Sequence, residues 1–104
     1  MTDLSDFKDL YLQTAKENIV AITSGLTNLL QSENSTETIE QVHRNAHTLK
    51  SKSNMMGYPR IGEMAKAIEE TLYEVKEGKT QVTNAMLVTL ETIARQIEEE
   101  IQKI

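Results

Sequence analysis

Apolar residues recur at alternating steps of three and four through four segments of this chain, a spacing that can be buried only by packing helix against helix. The first segment, residues 4–31, carries Phe7, Leu10, Tyr11, Ala15, Ile19, Ile22, Leu26, Leu29 and Leu30 on one stripe. As a helix it would be roughly 40 Å long at about 1.5 Å per residue, with Gly25 a weak point inside it rather than a stop. The polar string Gln31 to Thr36 reads as a loop, and Asn34 followed by Glu37 as a capping box for a second helix over 36–56. Ile39, Val42, Ala46, Leu49, Ser53 and Met56 form its stripe. Gly57 supplies a left-handed cap, and Pro59 suits the first turn of a third helix over 59–77. There the stripe is Ile61, Met64, Ala65, Ile68, Leu72 and Val75, closed by Gly78. Thr83 is the expected N-cap of a fourth helix over 83–103, striped by Met86, Leu87, Leu90, Ile93, Ala94, Ile97 and Ile101, with Ile104 just beyond. The expected fold is all-α, an antiparallel up-down four-helix bundle formed by a single domain, 1–104, because no repeat, low-complexity run or long linker divides the chain. Met55, Met56, Met64 and Met86 are expected to fill gaps between helices, and Glu98, Glu99 and Glu100 to form a solvated face. Four stripes can satisfy one another and no fifth apolar face is evident, so a monomer is expected.

Composition narrows the function classes. With no Cys in 104 residues, disulfide scaffolds, thiolate metal sites and cysteine catalysis are excluded. No apolar run is long enough to span a membrane, and the acidic N-terminus lacks the features of a signal peptide, so a cytoplasmic location without membrane contact is expected. The formal charge of -5 argues against nucleic-acid binding. That charge is uneven: Arg44 to Lys66 is +4 and the remainder -9. A basic stretch on an acidic protein suggests an anionic partner, or else a chance cluster of solvated charges.

Successive residues turn by about 100° around a helix axis. Relative to the second stripe, His47 points roughly 130° away from the core, which predicts an exposed imidazole on a polar face shared with His43, Lys50, Ser51 and Asn54. On the third helix Glu69 lies about 80° from its stripe, with Gly62, Lys66 and Tyr73 on the same face. If the two helices form a hairpin through Gly57 and Pro59, these faces meet at one side of the bundle. A carboxylate there would accept a hydrogen bond from Nδ1–H, fix the tautomer and leave Nε2 unprotonated and outward. That is the state a nucleophilic imidazole needs, and a nearby lysine can balance incoming phosphoryl oxygens. The same geometry suits an ordinary surface histidine. His43 and His47, four apart, could also share a transition metal, although no Cys and no further His supplies a third ligand.

The run Ala46-His47-Thr48-Leu49-Lys50, with Met56-Gly57-Tyr58 after it, resembles the phosphorylation-site motif of histidine-containing phosphotransfer (Hpt) domains, and the resemblance covers essentially the whole chain. It looks most like the N-terminal phosphotransfer domain of CheA-type chemotaxis histidine kinases, whose bundle likewise begins with a long helix and ends on an amphipathic one. The resemblance implies that His47 is the phosphoryl acceptor, that Glu69 orients its imidazole and that Lys50, one turn on, balances phosphate charge. Two departures stand out. Ser51 occupies a place where members commonly have Gly, with Lys52 and Asn54 making the surface bulkier and more basic, and Lys66 stands where some chemotaxis kinases have a second histidine. The surface expected to meet partners comprises His43, Arg44, Ser51, Lys52, Asn54 and Lys66.

By the same resemblance, a histidine kinase catalytic domain supplies the phosphoryl group from ATP, and a response-regulator receiver aspartate removes it with a divalent metal bound on the receiver. No cofactor or metal is expected on this chain. It has no Walker-type glycine loop, so it would be a substrate and relay without a complete activity in isolation. Its Met1 start and its end just after the fourth helix suggest the N-terminal domain of a longer kinase, although a free-standing protein fits the same residues. The rival reading is a non-catalytic helical docking or adaptor module, in which the His47 face only binds.

Overall fold

Local signals place several helix ends in the computed structural model, which describes residues 4–31 and 35–104. The elements are α1 (Leu4–Gln31), α2 (Thr36–Met55), α3 (Pro59–Lys76) and α4 (Asn84–Gln102). Gly57 and Gly78 both adopt positive φ, +84° and +74°. Each thereby lets the chain double back on a helix end, with Tyr58 N–H donating to Ser53 O at 2.8 Å and Lys79 N–H to Glu74 O at 3.0 Å. Thr83 caps α4 as expected, its hydroxyl accepting from Met86 N–H at 3.1 Å. The start of α2 differs from expectation: Asn34 lies outside the described residues, and the cap is Ser35, whose side chain accepts from Thr38 N–H at 3.2 Å. A serine one position nearer the helix reaches the same orphan donors.

Each helix packs on two neighbours, α1 and α3 both lying between α2 and α4, and among the described residues the backbones of the diagonal pairs stay apart. The stripes thus close on one another as an antiparallel four-helix bundle of 48 × 22 × 21 Å. Ile22, Leu26, Leu49, Ile68, Leu72, Leu87, Leu90 and Ile97 are its largest fully buried apolar side chains. Gly25 sits where α2 packs closely on α1, and a Cβ there would fall 2.3 Å from Val42 Cγ2. At the other end, fully buried Ser53 meets Tyr11 Oη at 2.7 Å, and the Tyr11 ring stacks on Tyr58 at 5.1 Å.

Three residues read as apolar packing are not packed: Phe7 is 51% exposed, Leu10 62% and Met55 80%. For Phe7 and Leu10 the cause is length. α1 has 28 residues against 20, 18 and 19 in the others, and Tyr11 is already level with Ser53 and Tyr58 at the α2–α3 turn. The turns of α1 before Tyr11 therefore extend about 10 Å past that end at 1.5 Å per residue. An apolar face is left over after all, with Phe7, Leu10 and Met55 bordering a shallow groove beside Lys52. Glu100 also departs from the expected solvated face, because it bridges α4 to Arg60 at 3.0 Å.

Candidate functional site

The α2–α3 hairpin sets the register of the exposed seam. Asn54 lies against Gly62, where a Cβ would fall 1.9 Å from Asn54 Oδ1. Seven residues back along α2 and seven forward along α3, His47 meets Glu69. Another four bring His43 to Tyr73, with ring centroids 6.3 Å apart. A further three bring Glu40 to Lys76, whose Nζ lies 3.0 Å from each carboxylate oxygen. Equal steps in opposite directions are what two antiparallel helices in unbroken contact produce.

At the centre of the seam, Glu69 takes two partners. Its Oε2 accepts a hydrogen bond from His47 Nδ1, and its Oε1 pairs with Lys50 Nζ at 2.6 Å. The carboxylate is 12% exposed and the imidazole 56%. Burial would raise the Glu69 pKa, but the hydrogen bonds from Lys50 and His47 outweigh it and hold the group below the usual carboxylate range. Glu69 is therefore ionised near neutral pH and can only accept, so the proton on its imidazole partner sits on Nδ1. Nε2 is left as the free ring nitrogen of a mostly exposed side chain. Burial, aided by the nearby Lys76 and His47, pushes the His43 pKa down against the pull of Glu69 and Glu40.

An open depression joins His47 and Glu69 to Glu40, His43, Arg44, Tyr73 and Lys76. Of the residues expected to share this surface, His43 and Arg44 do so. Ser51 is exposed on α2, and Lys52 borders the apolar groove near Phe7 instead. Asn54 covers Gly62, while Lys66 turns toward Glu70 at 3.8 Å. Reading the sequence missed Glu40 and Lys76, although each lies seven residues beyond a site residue, on the same helix face as His47 or Glu69. Among the described residues no group of three His, Asp or Glu could hold a metal ion, and no helix is long and apolar enough to cross a membrane.

The chain is 26% identical over 96 residues to the chemotaxis protein CheA of Listeria monocytogenes, covering 92% of this chain and 16% of that protein. It is 26% identical over 81 residues to CheA of Halobacterium salinarum, covering 78% and 12%. To a gliding motility regulatory protein of Myxococcus xanthus it is 38% identical over 61 residues, covering 59% and 8%. The chain thus spans at most 16% of the length of these relatives. A solution NMR structure of a protein with a redesigned hydrophobic core superposes with a TM-score of 0.87 over 99% of this chain and 91% of that one, at 14% identity, and shares its fold. The Hpt domain profile matches residues 6–104. On that match the chain belongs to the Hpt domain family, whose members carry phosphoryl groups on histidine between kinases and response regulators.

Proposed function

We propose that His47 is the phosphoryl acceptor of a chemotaxis-type relay, charged from ATP by a histidine kinase catalytic domain and discharged to a response-regulator aspartate. The observation that carries this reading is the Glu69 carboxylate on His47 Nδ1 beneath an imidazole that is 56% exposed. The Nε2 lone pair attacks the γ-phosphorus, the bond from that phosphorus to the β–γ bridging oxygen breaks, and ADP leaves. The Nδ1 proton stays in place toward Glu69, which stabilises the positive charge that develops on the ring. In the second transfer, a receiver carboxylate oxygen attacks phosphorus, the P–N bond breaks and neutral imidazole returns. Lys50, anchored on Glu69, contributes positive charge at the phosphoryl group's edge of the site. Such transfer needs alignment and charge stabilisation more than covalent groups from the protein, so a small exposed site suffices.

The nucleotide belongs to the partner kinase; this chain binds no cofactor and no metal and acts as substrate and relay, as a cytoplasmic monomer when isolated. The exposed surface beside His47 at His43 and Arg44 favours an acidic receiver, through encounter rate more than affinity. The exposed groove at Phe7, Leu10 and Met55 favours a second reading, a docking module without chemistry. One experiment separates them: incubation with a chemotaxis-type kinase catalytic domain and ATP, read by intact mass, beside His47→Gln. A single acid-labile phosphoryl group in the wild type and none in the variant is expected. No incorporation into a folded wild-type bundle, across several kinase domains, leaves the docking reading in its place.

A further inference from the structure

Most cations around His47 are already engaged. Lys50 Nζ lies 2.6 Å from Glu69 Oε1, and Lys76 Nζ lies 3.0 Å from both oxygens of Glu40. His43 is held toward its neutral form by burial beside Tyr73. Arg44 is different. It is exposed, borders the same depression as His47, and forms no hydrogen bond or ion pair among the described residues. Glu40 interacts with it at longer range, and that carboxylate is bound by Lys76. Arg44 stands three residues before His47 on α2, so the two side chains are neighbours on the helix surface.

We propose that Arg44 forms an oxyanion site for the phosphoryl group on His47, its guanidinium binding phosphoryl oxygens as they reach Nε2 and while they remain there. The inference rests on the reading of His47 as acceptor and adds the residue that meets the anion directly. A phosphoryl group brings about two negative charges to a face where Glu69 and Glu40 are already anionic. Turning Lys50 toward it would weaken the anchor that positions Glu69, and turning Lys76 would open the bridge to Glu40. Arg44 turns without breaking any bond. Its planar fork offers two parallel N–H donors to two phosphoryl oxygens, a geometry that an ammonium cannot reproduce.

Phosphoramidate isolates this effect because it transfers a phosphoryl group with no partner protein. Its P–N bond breaks, ammonia leaves with the electron pair, and the Nε2 lone pair forms the new P–N bond, while Nδ1 keeps its proton. The initial rate of incorporation at His47, by intact mass and peptide mapping, is expected to fall about tenfold in Arg44→Gln and only about threefold in Arg44→Lys. The wild-type advantage is expected to shrink toward unity in about 1 M salt, where screening is strong. In wild-type protein labelled with 15N, the Arg44 Nε–H resonance is expected to shift on phosphorylation. An Arg44→Gln rate within twofold of wild type, with that resonance unmoved, would overturn the Arg44 site and leave the acceptor reading intact. No incorporation at His47 in folded wild-type protein would overturn both.

Discussion

Replacing Glu69 by Gln keeps the shape of the side chain and removes its charge, which makes it the sharpest probe of the His47 environment. The wild-type carboxylate only accepts, so it selects the Nδ1–H form and aims Nε2 outward. A glutamine amide has both a donor and an acceptor, satisfies either ring form by rotating, and no longer stabilises a ring that becomes cationic. A hydrogen bond to a charged group contributes about 1.5–3 kcal/mol. Glu69 is 12% exposed, which argues for a full contribution, but His47 is 56% exposed, and water replaces part of what is lost. The lower part of that range, about 1.5–2 kcal/mol, corresponds to phosphorylation about 10 to 30 times slower. Single-turnover phosphorylation by a kinase catalytic domain at saturating ATP measures this, with circular dichroism to show that both bundles are folded. A Glu69→Gln rate within threefold of wild type would refute the positioning role.

The other predictions concern the bundle. Gly25→Ala gains about 1 kcal/mol of helix propensity but forces a methyl into buried Val42, an overpacking cost of about 1–3 kcal/mol. A net loss, seen as a lower Tm and largely relieved by adding Val42→Ala, is expected; a raised Tm in Gly25→Ala alone would show that the helices separate freely. Ser53→Ala strands the Tyr11 hydroxyl beside the core and is expected to cost about 1–3 kcal/mol in urea unfolding, whereas Phe7→Ser, on the overhang, is expected to cost under about 0.5 kcal/mol. Acid should destabilise the domain. The lowered Glu69 and Glu40 pKa values contribute stability that is complete above the unfolded glutamate value, about 4.3, and is lost as pH falls through the lower folded values. The depressed His43 acts with the same sign at higher pH, its contribution complete above the unfolded histidine value of about 6.5 and lost below it. Urea titrations from pH 8 to about 3 should show stability declining in these two windows; constant stability across the histidine window would exclude the His43 contribution.

Helix positions and the exposure of His47 were legible from residues alone because both depend on the local backbone. A helix is closed by bonds four residues apart, and its ends are set by neighbours such as Thr83, Gly57 and Gly78. A wheel places His47 away from the core whatever packs there. Tertiary structure decided what those wheels could not: that Glu69 lies nearly buried with both Lys50 and His47 on it, and that Glu40 reaches Lys76. These contacts require the α2–α3 register, which follows from the turn and from the close approach of Asn54 to Gly62. The exposure of Phe7 and Leu10 had another origin, the greater length of α1. Periodicity in a sequence marks which face of a helix is apolar, but only the lengths and alignment of its neighbours determine how much of that face is covered.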